Sequence, residues 1–304
     1  SEDARKVASK LDIPYYVLDY TESFSKNVVD NFTQMYAQGL TPNPCVECNR
    51  SVKFDHFITQ AKKLNCDKVA TGHYAKIIKK NNEFELHKAD YLDKDQSYVL
   101  HMLKSSDLEN ISFPLGEISK PEVRQIAARI GLKTAFKKDS QDICFVGKKD
   151  YRSFVEKRID LTSPGEIFDI EGNKVGDHNG IHEFTVGQRK GLPGGYGTPR
   201  YVTKINVQNK NVTIGEKKDL LVSSFIVEEL SCVNDLEYNN LTIQTRYNSE
   251  DLPCEIKKLS DTKVLVQLKE PAFGVAPGQF GVIYNGTKVV CGGRISPKVL
   301  ENIG

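Results

Sequence analysis

Apolar residues recur at helical spacing in two places near the start of the chain. Val7, Ala8 and Leu11 give the stretch from Ala4 to Leu11 one apolar face, and Phe54, Phe57, Ile58, Ala61 and Leu64 mark a second, longer helix. Between and after them lie short β-prone runs, Tyr15-Tyr-Val-Leu-Asp19 and Asp67-Lys-Val-Ala-Thr-Gly-His73, the latter ending in a glycine turn. This alternation predicts a parallel sheet with crossover helices. Ligands of such sheets bind beyond the carboxyl ends of the strands, where Gly72 and His73 fall. Ser119-Lys-Pro-Glu122 is a capping-box pattern with proline in the first turn, so a helix is expected through Val123, Ile126, Ala127 and Ile130 to Gly131. The α/β half therefore extends at least to Leu132.

Beyond Cys144 the pattern changes. Residues 161–200 are rich in glycine and proline, with short strand-like pieces, and from about Leu220 the segments are β-prone and turn-punctuated. Examples are Leu241-Thr-Ile-Gln-Thr-Arg-Tyr247 and Lys263-Val-Leu-Val-Gln-Leu268. The expected organisation is an α/β domain over 1–147, a small central domain over 148–218 and a β-barrel or sandwich over 219–304. No internal repeat is visible.

The 304 residues suffice for such an arrangement, each domain with its own core. Charged residues at 27% and hydrophobic ones at 39% are ordinary for a soluble protein, and a net charge of +2 does not announce a polyanionic partner. Nucleic acid would have to be held by local basic patches such as Lys133, Lys137, Lys138, Lys148, Lys149 and Arg152, a cluster that also reads as a solvated face. No apolar run approaches the ~18 residues of a membrane span, and no basic-then-apolar leader opens the chain, so a cytoplasmic protein is expected.

Seven cysteines divide into two groups. Cys45, Cys48 and Cys144 sit in polar, turn-rich surroundings and read as chemical, because a thiolate is both nucleophile and soft metal ligand. In a reducing compartment a Cys-x-x-Cys pair is catalytic, redox-active or metal-binding rather than a structural bridge. Cys66, Cys232, Cys254 and Cys291 read as small core hydrophobes. No G-x-x-x-x-G-K-[ST] loop occurs. The glycines from Gly191 to Gly197 are expected to form a flexible turn, although Gly187-Gln-Arg-Lys190 before them offers cations to a nucleic-acid backbone. His73 could polarise a carbonyl or touch a ligand at the strand end. Lys94-Asp-Gln-Ser-Tyr98 reads by itself as an ordinary surface loop.

Six motifs in order carry a resemblance: Thr41-Pro-Asn-Pro-Cys-Val-Glu-Cys-Asn49, Ala70-Thr-Gly-His-Tyr-Ala75, Lys94-Asp-Gln-Ser-Tyr98, Asp139-Ser-Gln-Asp-Ile-Cys-Phe145, Thr185-Val-Gly-Gln-Arg-Lys-Gly-Leu192 and Ala276-Pro-Gly-Gln-Phe280. Over nearly the whole chain the sequence resembles the bacterial tRNA-specific 2-thiouridylases. The resemblance implies an adenine-nucleotide-hydrolase-like (PP-loop) ATP-pyrophosphatase domain with a parallel sheet, a small central domain and a C-terminal β-barrel. It further implies ATP with Mg2+, and replacement of O2 by sulfur in the wobble uridine of tRNAs for Lys, Glu and Gln. A sulfur-relay protein would donate the persulfide. By motif, Cys144 matches the persulfide carrier and Cys48 the nucleophile, alternating between thiols and a mutual disulfide. Asn43, Pro44 and Cys45 match the segment facing the target base, and Gly72 a nucleotide-binding position. His73, Lys94, Asp95, Gln96, Arg246, Tyr247 and Gln279 match tRNA contacts.

The sequence departs from that pattern twice. The S-G-G-x-D-S phosphate loop and the strand before it are not in the sequence, so the polypeptide as it stands is expected to be N-terminally incomplete and to bind ATP poorly. Cys45 occupies a position where an aspartate is usual. Cys45, Cys48 and Cys144 could then hold an iron–sulfur cluster with one open iron, or zinc, in place of a persulfide route. Two readings from other classes stay open, a non-catalytic tRNA-binding module and a thioredoxin-like oxidoreductase built on Cys45-x-x-Cys48. The prolines before that motif argue against the last.

Overall fold

The structure is a computed structural model, and it describes residues 2–137, 143–147, 150–159, 163–195, 197–232 and 239–297. Lys138, Lys148, Lys149 and the segment from Asp139 to Asp142 lie outside the described residues, so the expectations that fall on them have no structural counterpart.

Two long helical stretches dominate the first domain. Thr21–Phe24, Ser25–Val29 and Asp30–Ala37 run on as one helix with a π turn in the middle, and Pro44–Cys48, Asn49–Phe54 and Asp55–Lys63 do the same. Such π turns gather at functional sites. Strand β1 (Val69–Ala70) pairs in parallel with β4 (Ile111–Ser112), which is the parallel sheet the alternation led one to expect. Between them β2 (Ala75–Lys80) and β3 (Glu83–Lys88) form a hairpin whose turn, Asn81-Asn82, has φ of 48° and 65°. Asparagine tolerates that left-handed geometry, which suits the twist of a two-residue hairpin. The helix Lys120–Arg129 starts as expected, with the Ser119 hydroxyl accepting from the Glu122 amide at 3.4 Å.

The central region is a four-stranded sheet of β5 (Gly165–Phe168), β6 (Lys174–His178), β7 (Tyr201–Asn206) and β8 (Asn211–Gly215) in the order β6-β5-β8-β7, with only the β5–β8 pair parallel. The last region comprises β9 (Leu221–Cys232), β10 (Leu241–Gln244), β11 (Leu252–Ser260), β12 (Lys263–Phe273), β13 (Phe280–Asn285) and β14 (Lys288–Ile295). These pair in the order β13-β10-β11-β12-β9-β14, and β14 pairs back to β13, closing a six-stranded barrel. Closure leaves no strand edge to protect. Alternate residues of β12, among them Val264, Val266 and Leu268, fill its interior.

The barrel and the first domain share a core. Val46, Phe54, Leu86, Tyr98 and Leu100 pack in one cluster with Phe280, Val282, Tyr284 and Val289. The β2–β3 hairpin is also joined to the barrel through the pairing of Lys288 with His87, and through the Lys88 amide, which donates to the Thr287 carbonyl at 2.8 Å. Among the described residues no helix is long and apolar enough to cross a membrane.

Three expectations need correction. Residues 15–19 pair with no strand among the described residues; Tyr16 and Val17 are 71% and 72% exposed, because β propensity without a neighbouring strand yields only extended chain. Cys66 is exposed at the end of its helix, whereas Cys254 and Cys291 are buried as expected. The stretch from Lys94 to Tyr98 is not a surface loop, since Asp95, Ser97 and Tyr98 are all buried. Within the basic cluster, Lys137 pairs with Asp3 and Arg152 with Asp150.

Candidate active site

Asn43 opens the cysteine helix. Its side-chain oxygen accepts from the Val46 amide at 3.4 Å, and Pro44, with its preset φ and no N–H to lose, occupies the first turn. Cys45 and Cys48, three apart, share one side of the helix, and Val46 and Glu47 point inward. Cys45 is exposed, Cys48 half-buried, Val46 fully buried and Glu47 only 3% exposed. The segment leading in is tied to the barrel: the Gln279 side-chain nitrogen donates to the Thr41 and Pro42 carbonyls, each at 3.2 Å, and the Thr41 amide donates to the Pro277 carbonyl.

Cys144 is held by its neighbours against the preceding helix, Asp30–Ala37. Ile143, Phe145 and Val146 pack with Phe32, Tyr36 and Val155, and the Phe145 ring meets Phe32 edge-on at 5.2 Å. Cys144 itself is exposed in the turn they anchor. Its proximity is felt by both other thiols. Burial pushes the Cys45 pKa up and Cys144 raises it further; burial likewise raises Cys48, Lys53 opposes that rise, and Cys144 and Cys45 add to it. All three cysteines therefore lie within electrostatic reach of one another.

Lys53 is the cation common to this site. It opposes the upward shift at both Cys45 and Cys48, and it acts on His73 as well. In an unbroken α-helix a residue five positions on is rotated about 140° from its reference. The π turn Asn49–Phe54 widens the helix between Cys48 and Lys53 and changes that relation.

His73 lies at the end of β1 on the Phe54 and Phe113 rings, with Thr71 Oγ1 at 2.7 Å from Nδ1. Burial first, then the Lys53 charge, lowers its pKa to about 4, so the imidazole is neutral at physiological pH. Gly72 beside it is exposed, and a Cβ there would meet only Leu115, at 3.8 Å, so open space faces its backbone. That room suits a nucleotide at the carboxyl end of a parallel strand. Gln96 fixes this turn by accepting from the Tyr74 amide at 3.0 Å and donating its own backbone N–H to the Tyr74 carbonyl at 2.7 Å. Asp95 accepts from the Ala89 amide and from the Ser97 amide and hydroxyl. Lys94 is half-buried in the turn before it.

From the barrel, the loop after β10 presents Arg246 and Tyr247, both exposed. Burial raises the Tyr247 pKa, with Asp95 and Cys45 adding to it, so both groups lie within electrostatic reach of the hydroxyl. A cavity of about 520 Å³ opens here, lined by Lys88, Asp95, Tyr98, Gln244, Tyr247 and Asp251. The structure thus assembles Cys45, Cys48, Cys144, His73 and Tyr247 from four parts of the sequence.

Residues 1–148 match the family described as the tRNA methyl transferase HUP domain, 152–216 the tRNA methyl transferase PRC-barrel domain, and 222–295 the aminomethyltransferase beta-barrel domain. The tRNA-specific 2-thiouridylase MnmA of Rickettsia prowazekii (strain Madrid E) is 43% identical over 302 residues, covering 98% of this chain and 84% of that protein. The chain belongs to the tRNA-specific 2-thiouridylase family. Other 2-thiouridylases agree: the MnmA proteins of Lachnoclostridium phytofermentans and Chloroflexus aurantiacus are each 42% identical, covering 97% and 96% of this chain and 84% and 83% of their own lengths. Membership carries the use of ATP with it.

Within the 2-thiouridylase frame the metal-cluster alternative finds no support. Among the described residues the one group of three or more possible ligands within 4.8 Å is Glu156, His182 and Glu183, so Cys45, Cys48 and Cys144 are not gathered as a single-ion site. Three further residues stand out that motif reading had passed over: Lys53, Glu47 and Arg294. Glu47, set between the two cysteines, ion-pairs with Arg50 and with Arg294 of β14. The one hint in the sequence was a carboxylate inside Cys-x-x-Cys.

Proposed function

We propose that the protein is a tRNA 2-thiouridylase that exchanges O2 of the wobble uridine for sulfur in tRNAs for Lys, Glu and Gln. What supports this best is the gathering of three thiols, Cys45 and Cys48 on one side of a helix and Cys144, far away in sequence, near enough to raise the pKa of both. ATP, supplied with Mg2+, provides the adenylyl group that turns O2 from a very poor leaving group into a good one.

Cys144, exposed and able to meet a donor protein in the cytoplasm, carries the persulfide. Its terminal sulfur forms the bond to C2 as AMP leaves with the electron pair. The Cys48 thiolate then attacks the inner sulfur of Cys144, breaking the S–S bond. That step releases 2-thiouridine and leaves a Cys48–Cys144 disulfide, which an external thiol reduces. Because burial above all, and then both neighbouring thiols, raise Cys48, its thiolate depends on Lys53.

Asn43, Pro44 and Cys45 face the base, with Cys45 held protonated by its raised pKa. Gly72 borders the nucleotide. Neutral His73 adds a hydrogen-bonding edge without charge, Arg246 meets phosphate, and Tyr247 offers a stacking surface for an unstacked base. Lys94, Asp95, Gln96 and Gln279 complete the tRNA side, with Asp95 and Gln279 acting through the backbone they hold.

The test is a single turnover. The chain, given the strand and S-G-G-x-D-S loop of the family pattern at its N-terminus and loaded with sulfur from polysulfide, is mixed with ATP, Mg2+ and an unmodified tRNA transcript for Glu, and the nucleosides are analysed by mass spectrometry. 2-Thiouridine at the wobble position is expected. A gel shift without any product would mean that the chain is a binding module.

A further inference from the structure

Arg294 lies on β14 of the barrel, yet its guanidinium reaches across to the first domain. Its Nη2 donates to Glu47 Oε1 at 3.0 Å, its Nη1 to the Met35 sulfur at 3.1 Å and the Gly278 carbonyl at 3.5 Å, and its Nε to Glu229 at 3.5 Å. The same group lies over the Phe280 ring, 5.0 Å from its centre. The ion pair is nearly dry, with the Arg294 and Glu47 side chains 12% and 4% exposed. Glu47's second cation, Arg50, is 41% exposed and belongs to the same helix, so it cannot fix the helix against anything else.

Around this pair the barrel loop grips the entrance to the cysteine helix. Gly278 has φ +89°, and a Cβ there would fall 2.8 Å from Leu40 Cβ, 2.9 Å from the Thr41 nitrogen and 3.0 Å from Met35. Only glycine permits that approach. Gln279 holds the Thr41 and Pro42 carbonyls from the same loop. The helix is therefore held at its entrance by the barrel loop and along its length by the burial of Val46 and Phe54, and one charged pair joins its middle to β14.

We propose that Arg294 is a positioning residue for sulfur transfer: by gripping Glu47 between Cys45 and Cys48, it sets the rotation of the cysteine helix that turns Cys48 toward Cys144. This rests on the tRNA 2-thiouridylase reading. Without Arg294 the buried Glu47 carboxylate keeps only Arg50, a cation of its own helix that ties it to nothing on the barrel. The helix can relieve that by turning Glu47 outward, and such a turn carries Cys48 with it.

The experiment compares the chain, carrying the same added strand and S-G-G-x-D-S loop, with its Arg294→Gln, Arg294→Lys and Glu47→Gln variants. In single turnovers at saturating tRNA, Arg294→Gln is expected to slow sulfur transfer at least tenfold, while the half-saturating tRNA concentration changes less than threefold. Arg294→Lys should recover part of the rate, since a point charge still reaches Glu47 but cannot serve Met35 and Gly278 together. A second readout needs neither ATP nor tRNA. The rate of Cys48–Cys144 disulfide formation under mild diamide oxidation should fall at least fivefold in Arg294→Gln, with alkylation of Cys45 within twofold of the parent.

Unchanged disulfide and transfer rates in a folded Arg294→Gln protein would overturn the proposal. So would a loss of rate in Arg294→Gln that Arg294→Lys does not relieve at all. If Arg294→Gln does not fold, Glu47→Gln, which keeps the shape and removes the charge, decides by the same two rates. A parent chain that makes no 2-thiouridine would sink the functional reading, yet the disulfide comparison would still settle the role of Arg294.

Discussion

Lys88 Nζ lies 2.6 Å from both carboxylate oxygens of Asp251 and 4.1 Å from the centre of the Tyr284 ring. Lys88 ends β3, Asp251 closes the loop that carries Arg246 and Tyr247, and Tyr284 belongs to β13. From there hydrogen bonds continue: Tyr284 to Ser97, Ser97 to Asp95, and Gln244 to Asp251. One buried cation thereby ties the barrel loop to the first domain. Lys88→Met is expected to cost about 1–3 kcal/mol, less than a wholly buried pair because Asp251 is 37% exposed. Urea unfolding would check the stability, and a gel shift the expected weakening of tRNA binding as the Arg246–Tyr247 loop loosens.

Cys48→Ser and Cys144→Ser should each abolish 2-thiouridine formation with tRNA affinity within twofold of the parent, because neither side chain supports the fold. Nucleoside mass spectrometry and gel shifts on the same samples measure both. Normal thiolation by either variant would refute the assignment of that cysteine.

Lys53→Gln should push the Cys48 thiol further up by removing the cation that opposes its rise. Alkylation of Cys48 by iodoacetamide at pH 7 is expected to slow two- to fivefold, the order of magnitude for one partly screened charge. The alkylation–pH curve should move to higher pH. An unmoved curve would mean that Lys53 does not act on the thiol.

Stability should fall on mild acidification. Burial lowers the fully buried His101 from 6.5 to about 4, and its Nδ1 lies 2.7 Å from the Tyr98 carbonyl. Between pH 6.5 and 4 the unfolded chain therefore binds a proton that the folded one refuses, so folding free energy is lost as pH drops through that window. From pH 7 to 5 this amounts to about 2 kcal/mol for His101. Chemical denaturation at the two pH values measures it, and His101→Asn, which keeps a donor for Tyr98, should flatten the slope.

Local chemistry was readable where neighbours in sequence are neighbours in space. Ser119 caps its helix, Asn43 and Pro44 open theirs, and the second apolar stripe became Asp55–Lys63, preceded by a π turn that periodicity does not signal. Tyr15 to Asp19 has the composition of a strand and lacks a partner, a property of the surroundings rather than of the segment. Lys94 to Tyr98 reads as polar surface because its burial is made good by distant groups, with the Tyr98 hydroxyl on the Phe280 carbonyl at 2.9 Å and Ser97 near Tyr284. The barrel-or-sandwich ambiguity turned on the β13–β14 and β9–β14 pairings, the latter joining strands far apart in the chain. At the site, the three polar cysteines stood out by residue type and motif, whereas the pairing of Glu47 with Arg294 spans 247 residues and left no local mark.

The contacts that seat the cysteine helix come from the far end of the polypeptide: Gln279 holds Thr41 across 238 residues. Synthesis runs from the first domain to the barrel, so the thiols emerge long before the parts that aim them. Contacts of such separation form late, after the loop between them has closed. During that interval Cys45 and Cys48 are expected to behave as ordinary thiols on a poorly anchored helix, and on the reading proposed above sulfur transfer then awaits completion of the chain. A chain ending before residue 219 should accordingly form the Cys48–Cys144 disulfide no faster than two unconnected surface cysteines would.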